Sequence, residues 1–303
     1  MQSRRVDLGG DVHYLDFGGP SGAPVIVGVH GLGGSSLNWS AIAPLLTGRY
    51  RLLAPDLAGH GLTRSLGRST SVPTNQDLLH RFIEAVPGCP VILMGNSMGG
   101  MISLIEAGTS PGAVSALVLV DPALPFVPVR PDPLVTALFA LQATPGIGQA
   151  LAAGRRRQSP EAAVASVLNL CCADPSAVAP EVVARHVEMA HQRAAFSEVG
   201  RDFAVAMRSV IATAGYLHGQ AYRRRIRSVT CPVLLVHGSA DRLVPVAAAR
   251  AAARAHPSWS VVILPGLGHV PQLEAPGECA AAISRWLATA GHDSAQPAVQ
   301  PGT

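Results

Sequence analysis

Short apolar runs alternate with amphipathic segments along most of this chain. Apolar runs of strand length lie near residues 12–17, 25–29, 50–54, 90–95, 115–120, 232–237 and 259–264. Segments with apolar residues at helical spacing lie near residues 37–47, 74–86, 98–109, 245–255 and 277–289. Such alternation predicts an α/β fold, with a mostly parallel central sheet and helices on both of its faces.

The pattern changes between the strand near 115–120 and the strand near 232–237. Ala, Arg and Leu at helical spacing replace the β-branched runs there, and Pro160-Glu161 and Pro180-Glu181 are typical of first helical turns. We therefore expect an inserted helical cap that interrupts one core. The predicted division is 1–121 for the first half of the core, 122–228 for the cap, 229–290 for the second half of the core, and 291–303 for a disordered tail.

Composition places the chain among folded proteins with a large core. It has 303 residues, of which 48% are hydrophobic and 14% are charged, enough for one α/β domain with an insertion. The net charge of +4 is mild, and without a basic stripe interleaved with aromatic residues we expect no nucleic-acid partner. No apolar run follows the first residues, which predicts a cytoplasmic protein.

Two stretches of the expected cap raise the question of membrane contact. Residues 134–154 carry no charge, but Pro145-Gly146 interrupts them, so two short helices are expected rather than a membrane span. Arginines cluster at 155–157 and at 223–227. They could attract an acidic substrate or make peripheral contact with anionic lipid, although solvated helix ends explain them more simply. The sequence does not indicate an oligomeric state.

Gly95-Asn96-Ser97-Met98-Gly99 carries the strongest chemical signal. It reads G-x-S-x-G and lies between an expected strand and an expected helix, which is the setting of a nucleophile elbow. The turn strains the backbone of Ser97, and side chains at Gly95 or Gly99 would collide with the neighbouring strand or helix. We expect Ser97 to be a nucleophile presented at a helix N-terminus.

A serine nucleophile needs a base, and the base needs an orienting group. His269 follows the strand near 259–264 in a Gly-rich loop, and Asp241 follows the strand near 232–237. We expect His269 to be the base and Asp241 to orient it, with Asp121, which follows another strand, as the alternative to Asp241. The backbone N–H groups of Leu32, in a Gly-rich turn, and of Met98 are the expected oxyanion donors.

With these segments in place, the chain resembles the α/β-hydrolase family. The order Ser, Asp, His along the chain is that family's order, and the segments Ala54–Thr63 and Leu117–Pro122 also match it. The resemblance covers roughly residues 10–120 and 228–290. Thr63 stands where the family usually has Ser. The segment Gly95–Gly100 also resembles the elbow of the C–C bond hydrolases that cleave ring-fission products.

The expected function is hydrolysis of a small-molecule carboxylic ester with an apolar acyl group, through an acyl-enzyme intermediate. It requires no cofactor and no metal, and the odd number of cysteines, five, shows no metal-binding spacing. Hydrolysis of a C–C bond in a vinylogous keto acid is one alternative, although the expected cap lacks the Trp usual in that group of enzymes. Ligand binding by a receptor on the same fold is the other alternative.

Overall fold

The computed structural model describes residues 1–125, 158–215 and 219–291, together with positions 132, 133, 137, 141, 144 and 154. Its strands are β1 (Gln2–Asp7), β2 (Asp11–Gly18), β3 (Val25–Val29), β4 (Arg51–Pro55), β5 (Val91–Asn96), β6 (Val114–Val120), β7 (Val233–Gly238) and β8 (Ser260–Leu264). They form one sheet in the order β1-β2-β4-β3-β5-β6-β7-β8.

The sheet is parallel from β4 across to β8. Strand β2 pairs antiparallel with both β1 and β4. The predicted mostly parallel sheet is confirmed. Strand β1 was not predicted. This edge strand reads Gln-Ser-Arg-Arg-Val-Asp and almost all of it is exposed, so it lacks the apolar alternation that identifies a strand.

Helices connect the strands and lie on both faces of the sheet, as predicted. They are α1 (Ala43–Leu46), α2 (Val72–Ala85), α3 (Met98–Thr109), α4 (Pro160–Cys171), α5 (Pro180–Ala194), α6 (Val199–Ala214), α7 (Gly219–Arg227), α8 (Val246–Ala255), α9 (Pro271–Glu274) and α10 (Pro276–Thr289). Buried residues of α2, α3, α7 and α8 share one core cluster with the sheet. Those of α1 and α10 share the cluster on the other face.

The helix predicted near 37–47 is wrong as a single element. The structure has a short 3₁₀ turn at Ser36–Trp39, capped by the Ser35 side chain, and then the one-turn helix α1. Pro44 lies in the first turn of α1. Proline has no N–H to continue a helix from the preceding turn, which explains why the segment divides.

Helices α4 to α7 lie between β6 and β7 along the chain, and α4 and α5 start at the predicted prolines. A small apolar cluster joins Leu168 of α4 and Val182 of α5 to Val270 and Leu273. The division into core and cap stays a prediction. The expectations for residues 134–154 and 155–157, and for the tail after Gly291, lie almost wholly outside the described residues.

None of the helices within the described ranges is long and apolar enough to cross a bilayer.

Candidate active site

Ser97 lies at the junction of β5 and α3, in a backbone conformation that few residues other than glycine adopt. Its φ is 54° and its ψ is −117°, which is strained for a residue with a Cβ. The Ser97 N–H donates to the Val120 carbonyl at 3.1 Å, and the Ser97 carbonyl accepts from the Ala123 N–H at 2.9 Å. The strained strand–turn–helix predicted around Ser97 is confirmed.

The glycines beside Ser97 are required by close packing of the backbone. A Cβ at Gly95 would lie 2.6 Å from the Gly99 carbonyl oxygen, and a Cβ at Gly99 would lie 2.1 Å from the Val29 carbonyl oxygen. Both distances are far below van der Waals contact, as the sequence predicted. A Cβ at Gly31 would lie 3.1 Å from the Ser97 Cβ, so the turn after β3 lies directly beside the serine.

Asp241 and His269 form a buried hydrogen-bonded pair. Asp241 follows β7, His269 follows β8, and the His269 Nδ1 lies 2.7 Å from the Asp241 Oδ2. The two residues are only 7% and 4% exposed. Because Nδ1 faces a carboxylate, the proton of a neutral ring belongs on Nδ1, and Nε2 is left with the lone pair that a general base requires.

Backbone donors and the imidazole hold Asp241 in its ionised form. Its Oδ1 accepts from the N–H of Leu243 at 2.7 Å and from the N–H of Val244 at 3.0 Å. Burial acts to raise the pKa of Asp241, but the positive charge and hydrogen bond of His269 outweigh burial, and the pKa is lowered. An ionised Asp241 stabilises a protonated His269.

The elbow is tied to the loop that carries His269. Asn96, the residue before the serine, donates from Nδ2 to the Val120 carbonyl at 3.0 Å and to the His269 carbonyl at 3.1 Å. The His269 N–H donates in turn to the Cys171 carbonyl at 2.6 Å. Ser97, Asp241 and His269 all follow carboxyl ends of parallel strands, where residues of different strands converge.

The alternative acid, Asp121, lies beside this pair but has a different partner. It follows β6, and its Oδ1 accepts from the Gly238 N–H at 2.9 Å. The His269 ring donates from Nδ1 to Asp241 and not to Asp121. The geometry therefore favours Asp241 as the orienting acid. His237, at the end of β7, donates from Nε2 to the Val244 carbonyl at 2.9 Å.

His30 supports the turn after β3 through both ring nitrogens. Its Nδ1 donates to the Gly31 carbonyl at 2.8 Å, and its Nε2 accepts from the Leu57 N–H at 3.0 Å. Burial lowers the pKa of His30, so it stays neutral. With both nitrogens occupied it is not a second base.

Asp56 joins three segments around the same turn. Its carboxylate accepts from the Ser36 N–H at 2.6 Å, from the Leu62 N–H at 2.7 Å and from the His13 Nδ1 at 2.6 Å. Burial lowers the pKa of the neighbouring His60 to about 3. His60 donates from Nδ1 to the Ala58 carbonyl at 3.0 Å, so Asp56 and His60 both stabilise the turn after β4.

The two expected oxyanion donors belong to segments next to Ser97. Met98 is buried and is the first residue of α3. Leu32 is half-buried and lies in the turn that Gly34 closes by donating to the Gly31 carbonyl at 3.1 Å. Their role in binding an oxyanion stays a prediction.

Sequence reasoning missed three side chains that connect the helices after β6 to the site. The Glu274 carboxylate accepts from the Gly268 N–H and the Asp174 N–H. Arg193 of α5 donates to the carbonyls of the turn after β4. The Phe203 ring of α6 lies so close to Gly33 that a Cβ there would be 3.1 Å from it. Apart from the bond between Glu274 and Gly268, these contacts join residues far apart in the chain. Only for Glu274 does the nearby sequence offer a signal that could have indicated its role, because it is an acid at the end of a short segment that starts with proline.

Asp121, His237 and Asp241 are the one set of candidate metal ligands among the described residues. Most of the atoms that could bind a cation already form hydrogen bonds. Asp241 Oδ2 is bonded to His269, and His237 Nε2 is bonded to Val244. Only Asp121 Oδ2 and His237 Nδ1 remain, too few donors for a stable cation site.

Comparisons with known proteins agree with this fold. The model of the Alpha/beta hydrolase family matches residues 26–282. The crystal structure of a candidate lipase (lip1) from Acinetobacter baumannii AYE superposes with a TM-score of 0.75 at 26% identity, over 96% of this chain and 92% of that one.

Curated relatives include more than one kind of hydrolase. The chain is 29% identical to the pimeloyl-[acyl-carrier protein] methyl ester esterase of Aromatoleum aromaticum, over 86% of this chain and 96% of the relative. It is 27% identical to the 2-hydroxy-6-oxo-6-(2'-aminophenyl)hexa-2,4-dienoic acid hydrolase of Metapseudomonas resinovorans, over 94% and 90%. It spans 65% of a further relative, the dihydrolipoyllysine-residue acetyltransferase component of the acetoin cleaving system of Pseudomonas putida, at 26% identity over 90% of this chain.

Proposed function

The chain belongs to the alpha/beta hydrolase family, and we propose that it is a serine hydrolase that cleaves a carboxylic ester through an acyl-enzyme intermediate. The observation that carries the proposal is the buried Asp241–His269 hydrogen bond of 2.7 Å beside a serine in a strained elbow. A carboxylate, an oriented imidazole and a serine hydroxyl are the groups that acyl transfer by serine requires.

In the first step, His269 Nε2 takes the proton of the Ser97 hydroxyl while Ser97 Oγ attacks the ester carbonyl. Asp241 holds the His269 tautomer and stabilises the imidazolium that forms. His269 then gives the proton to the departing alkoxide, which leaves as the alcohol. In the second half, water attacks the acyl-enzyme with His269 again as base, and the acid is released.

The N–H groups of Leu32 and Met98 are our proposed donors to the oxyanion of the tetrahedral intermediate. The positive end of α3 adds to the stabilisation, because Ser97 is the N-cap of that helix. Loss of one such donor typically raises the barrier by about 3 kcal/mol. The close contact between Gly31 and Ser97 places the Leu32 turn next to the reacting atom.

We propose a small-molecule ester with an apolar acyl group as the substrate. The aromatic ring of Phe203 lies against Gly33. It therefore gives an apolar neighbour to the turn at residues 31–34, here called the oxyanion turn because it carries the proposed donor Leu32. The similarity to a methyl ester esterase supports ester cleavage.

Hydrolysis of a C–C bond in a ring-fission product is the second candidate. It is supported by Asn96 and Met98 around the serine and by the similarity to the hexadienoic acid hydrolase. Both reactions would use the same three residues, and the bond that is cleaved distinguishes them. Turnover of a ring-fission product well above that of simple esters would favour this candidate over ester hydrolysis.

The test is covalent labelling with a fluorophosphonate probe, together with hydrolysis of p-nitrophenyl esters of increasing acyl length. The wild type should be labelled and should hydrolyse the esters, with the optimal chain length reporting the size of the acyl pocket. Ser97→Ala should lose both properties, because the probe reacts only with an activated hydroxyl.

Ser103→Ala is the matched control, since Ser103 is a buried serine of α3 outside the candidate site. It should be labelled like the wild type. Labelling that persists in Ser97→Ala would contradict the assignment of the nucleophile. Folded wild type that neither labels nor turns over esters, yet is stabilised thermally by a ligand, would favour a receptor on this fold.

A further inference from the structure

A second carboxyl group lies buried behind the proposed orienting acid. Asp121 and His237 are fully buried, and Asp241 is nearly so. One ligand-type atom from each of the three lies within 4.8 Å of the others. None of the steps proposed above uses Asp121 or His237, although both face the residue that orients the base.

The hydrogen bonds leave one oxygen of Asp121 without a donor. Its Oδ1 accepts from the Gly238 N–H at 2.9 Å, whereas its Oδ2 is buried and, among the described residues, meets no donor. His237 Nδ1 lies 3.6 Å from Asp121 Oδ1, which is too long for a hydrogen bond. An ionised carboxylate with an unpaired oxygen in such surroundings would be costly.

Two carboxyl groups this close in the interior do not both ionise at neutral pH. Asp241 has the imidazole and two backbone N–H groups as donors, so the negative charge is best stabilised there. Asp121 has one backbone donor. Burial raises the pKa of Asp121 well above its ordinary value, and the negative charge of Asp241 adds to the rise.

We propose that Asp121 is a positioning residue, a buried neutral carboxylic acid that donates its proton in a hydrogen bond to the Asp241 carboxylate and so holds Asp241 towards His269. This proposal rests on the proposed function, because it assigns Asp121 a part in orienting the base of that reaction. The proton stays on Asp121 throughout, and the chemistry at Ser97 is otherwise unchanged. The proposal also explains why a second acid occupies the site without contacting the imidazole.

The groups that face Asp121 are consistent with a neutral acid. The negative charge of Asp241 acts on Asp121 more strongly than any other charge, and the negative charge of Glu274 of α9 also raises the pKa of Asp121. Cys279 of α10 is buried, and burial raises the pKa of its thiol, so the thiol stays neutral and adds no charge. Burial lowers the pKa of His237, so His237 is the neutral neighbour on β7.

The experiment compares Asp121→Asn and Asp121→Ala by pH profiles of kcat/KM and by infrared difference spectroscopy. The Asn amide can donate to Asp241 as the acid does, and Asn tolerates the positive φ of 45° at this position. D121N should therefore rescue most of the activity, with the acid limb of the profile unmoved. D121A should lose about tenfold or more in kcat, the value of a hydrogen bond to a charged group. The acid limb of the D121A profile should move to higher pH. Without its donor the Asp241 carboxylate is more basic and stabilises the protonated form of His269 more strongly, which raises the pKa of the base.

The infrared measurement needs no substrate. At neutral pH the wild type minus D121N spectrum should contain the C=O stretch of a protonated carboxylic acid. Asp77→Asn, which alters an exposed aspartate, should show no such band. Absence of the band, or an acid limb that moves to lower pH in D121N, would mean that Asp121 is ionised and would overturn the proposal. An inactive wild type that still shows the band would count against the proposed function only.

Discussion

Backbone strain is concentrated at the candidate site. Among the described residues, the non-glycine positions with positive φ are Leu66, Ser97 and Asp121. Ser97 and Asp121 follow the neighbouring strands β5 and β6. Strained conformations persist only where the surrounding structure over-determines them. Here the N–H groups of Ser97 and Asp121 donate to carbonyls of β6 and β7, respectively, which fixes both residues. The strain at Ser97 belongs to the turn that leads from β5 directly into α3.

At the residue scale, Gly99→Ala should disrupt the elbow. The new Cβ would lie 2.1 Å from the Val29 carbonyl oxygen and 2.6 Å from the His30 carbonyl oxygen, and backbone atoms cannot move aside as a flexible side chain can. We expect a loss of about 2–3 kcal/mol in the free energy of unfolding and loss of fluorophosphonate labelling. Chemical denaturation and labelling measure the two effects.

Gly112→Ala is the control for this prediction. Gly112 lies in the short turn before β6, and a Cβ there would have nothing within 4 Å. The control should keep both its stability and its labelling. Equal behaviour of the two variants would show that the contact between α3 and β3 does not constrain the elbow.

At the element scale, the sequence predicted those elements whose physical cause is local. The strands β3, β5, β6 and β7 are continuous apolar runs, because parallel strands covered on both faces must be apolar throughout. The starts of α4 and α5 follow from proline in the first turn. Strand β1 could not be predicted, because an exposed edge strand is held by its partner β2 rather than by its own pattern.

The short helix α9 connects the His269 loop to the helices after β6. Its last residue, Glu274, accepts from the Gly268 N–H at 2.9 Å and from the Asp174 N–H at 2.8 Å, one with each carboxylate oxygen. Ala173 also lies against Gly268, because a Cβ at Gly268 would be 2.7 Å from the Ala173 nitrogen. The buried Glu274 carboxylate therefore bridges two segments that also pack closely through their backbones.

Glu274→Gln should weaken this connection, because the amide keeps one acceptor oxygen and leaves one buried N–H without a partner. We expect a loss of about 1–3 kcal/mol in unfolding free energy and a lower kcat, since the His269 loop loses its support. Denaturation and ester kinetics test both. Glu278→Gln, an exposed change in the next helix, should change neither quantity. A fully stable and active Glu274→Gln would show that the loop is held by other contacts.

At the scale of the whole molecule, the candidate residues were predictable because each lies in a local motif. Ser97 is marked by its glycines, and Asp241 and His269 by the strands that precede them. The contacts that join separate parts of the chain were not predictable, since nothing in the sequence near Arg193 indicates that it reaches Gly59 and Gly61. Such contacts depend on the angle at which helices meet the sheet, which the hydrophobic pattern does not specify.

Two arginine contacts of different burial join the helices after β6 to the turns after β4. Arg193 of α5 is mostly buried, its pKa is lowered by that burial, and it donates to the Gly59 and Gly61 carbonyls. Arg64 is exposed and forms a forked pair with Glu198, whose pKa it lowers to about 2. The buried arginine fixes the turn that Asp56 also holds, and Asp56 in turn binds the Ser36 N–H beyond the oxyanion turn.

Arg193→Met and Arg64→Met should therefore differ sharply although each removes one guanidinium. The buried change leaves two carbonyls without donors and should cost about 2–4 kcal/mol, with faster proteolysis between α5 and α6 and a lower kcat/KM. The exposed change should cost at most about 1 kcal/mol, because water and salt screen such a pair. Denaturation, limited proteolysis and ester kinetics on both variants check the comparison. Similar losses in the two variants would mean that the helices are held through the surface pair, and that the Arg193 contact does not position the oxyanion turn.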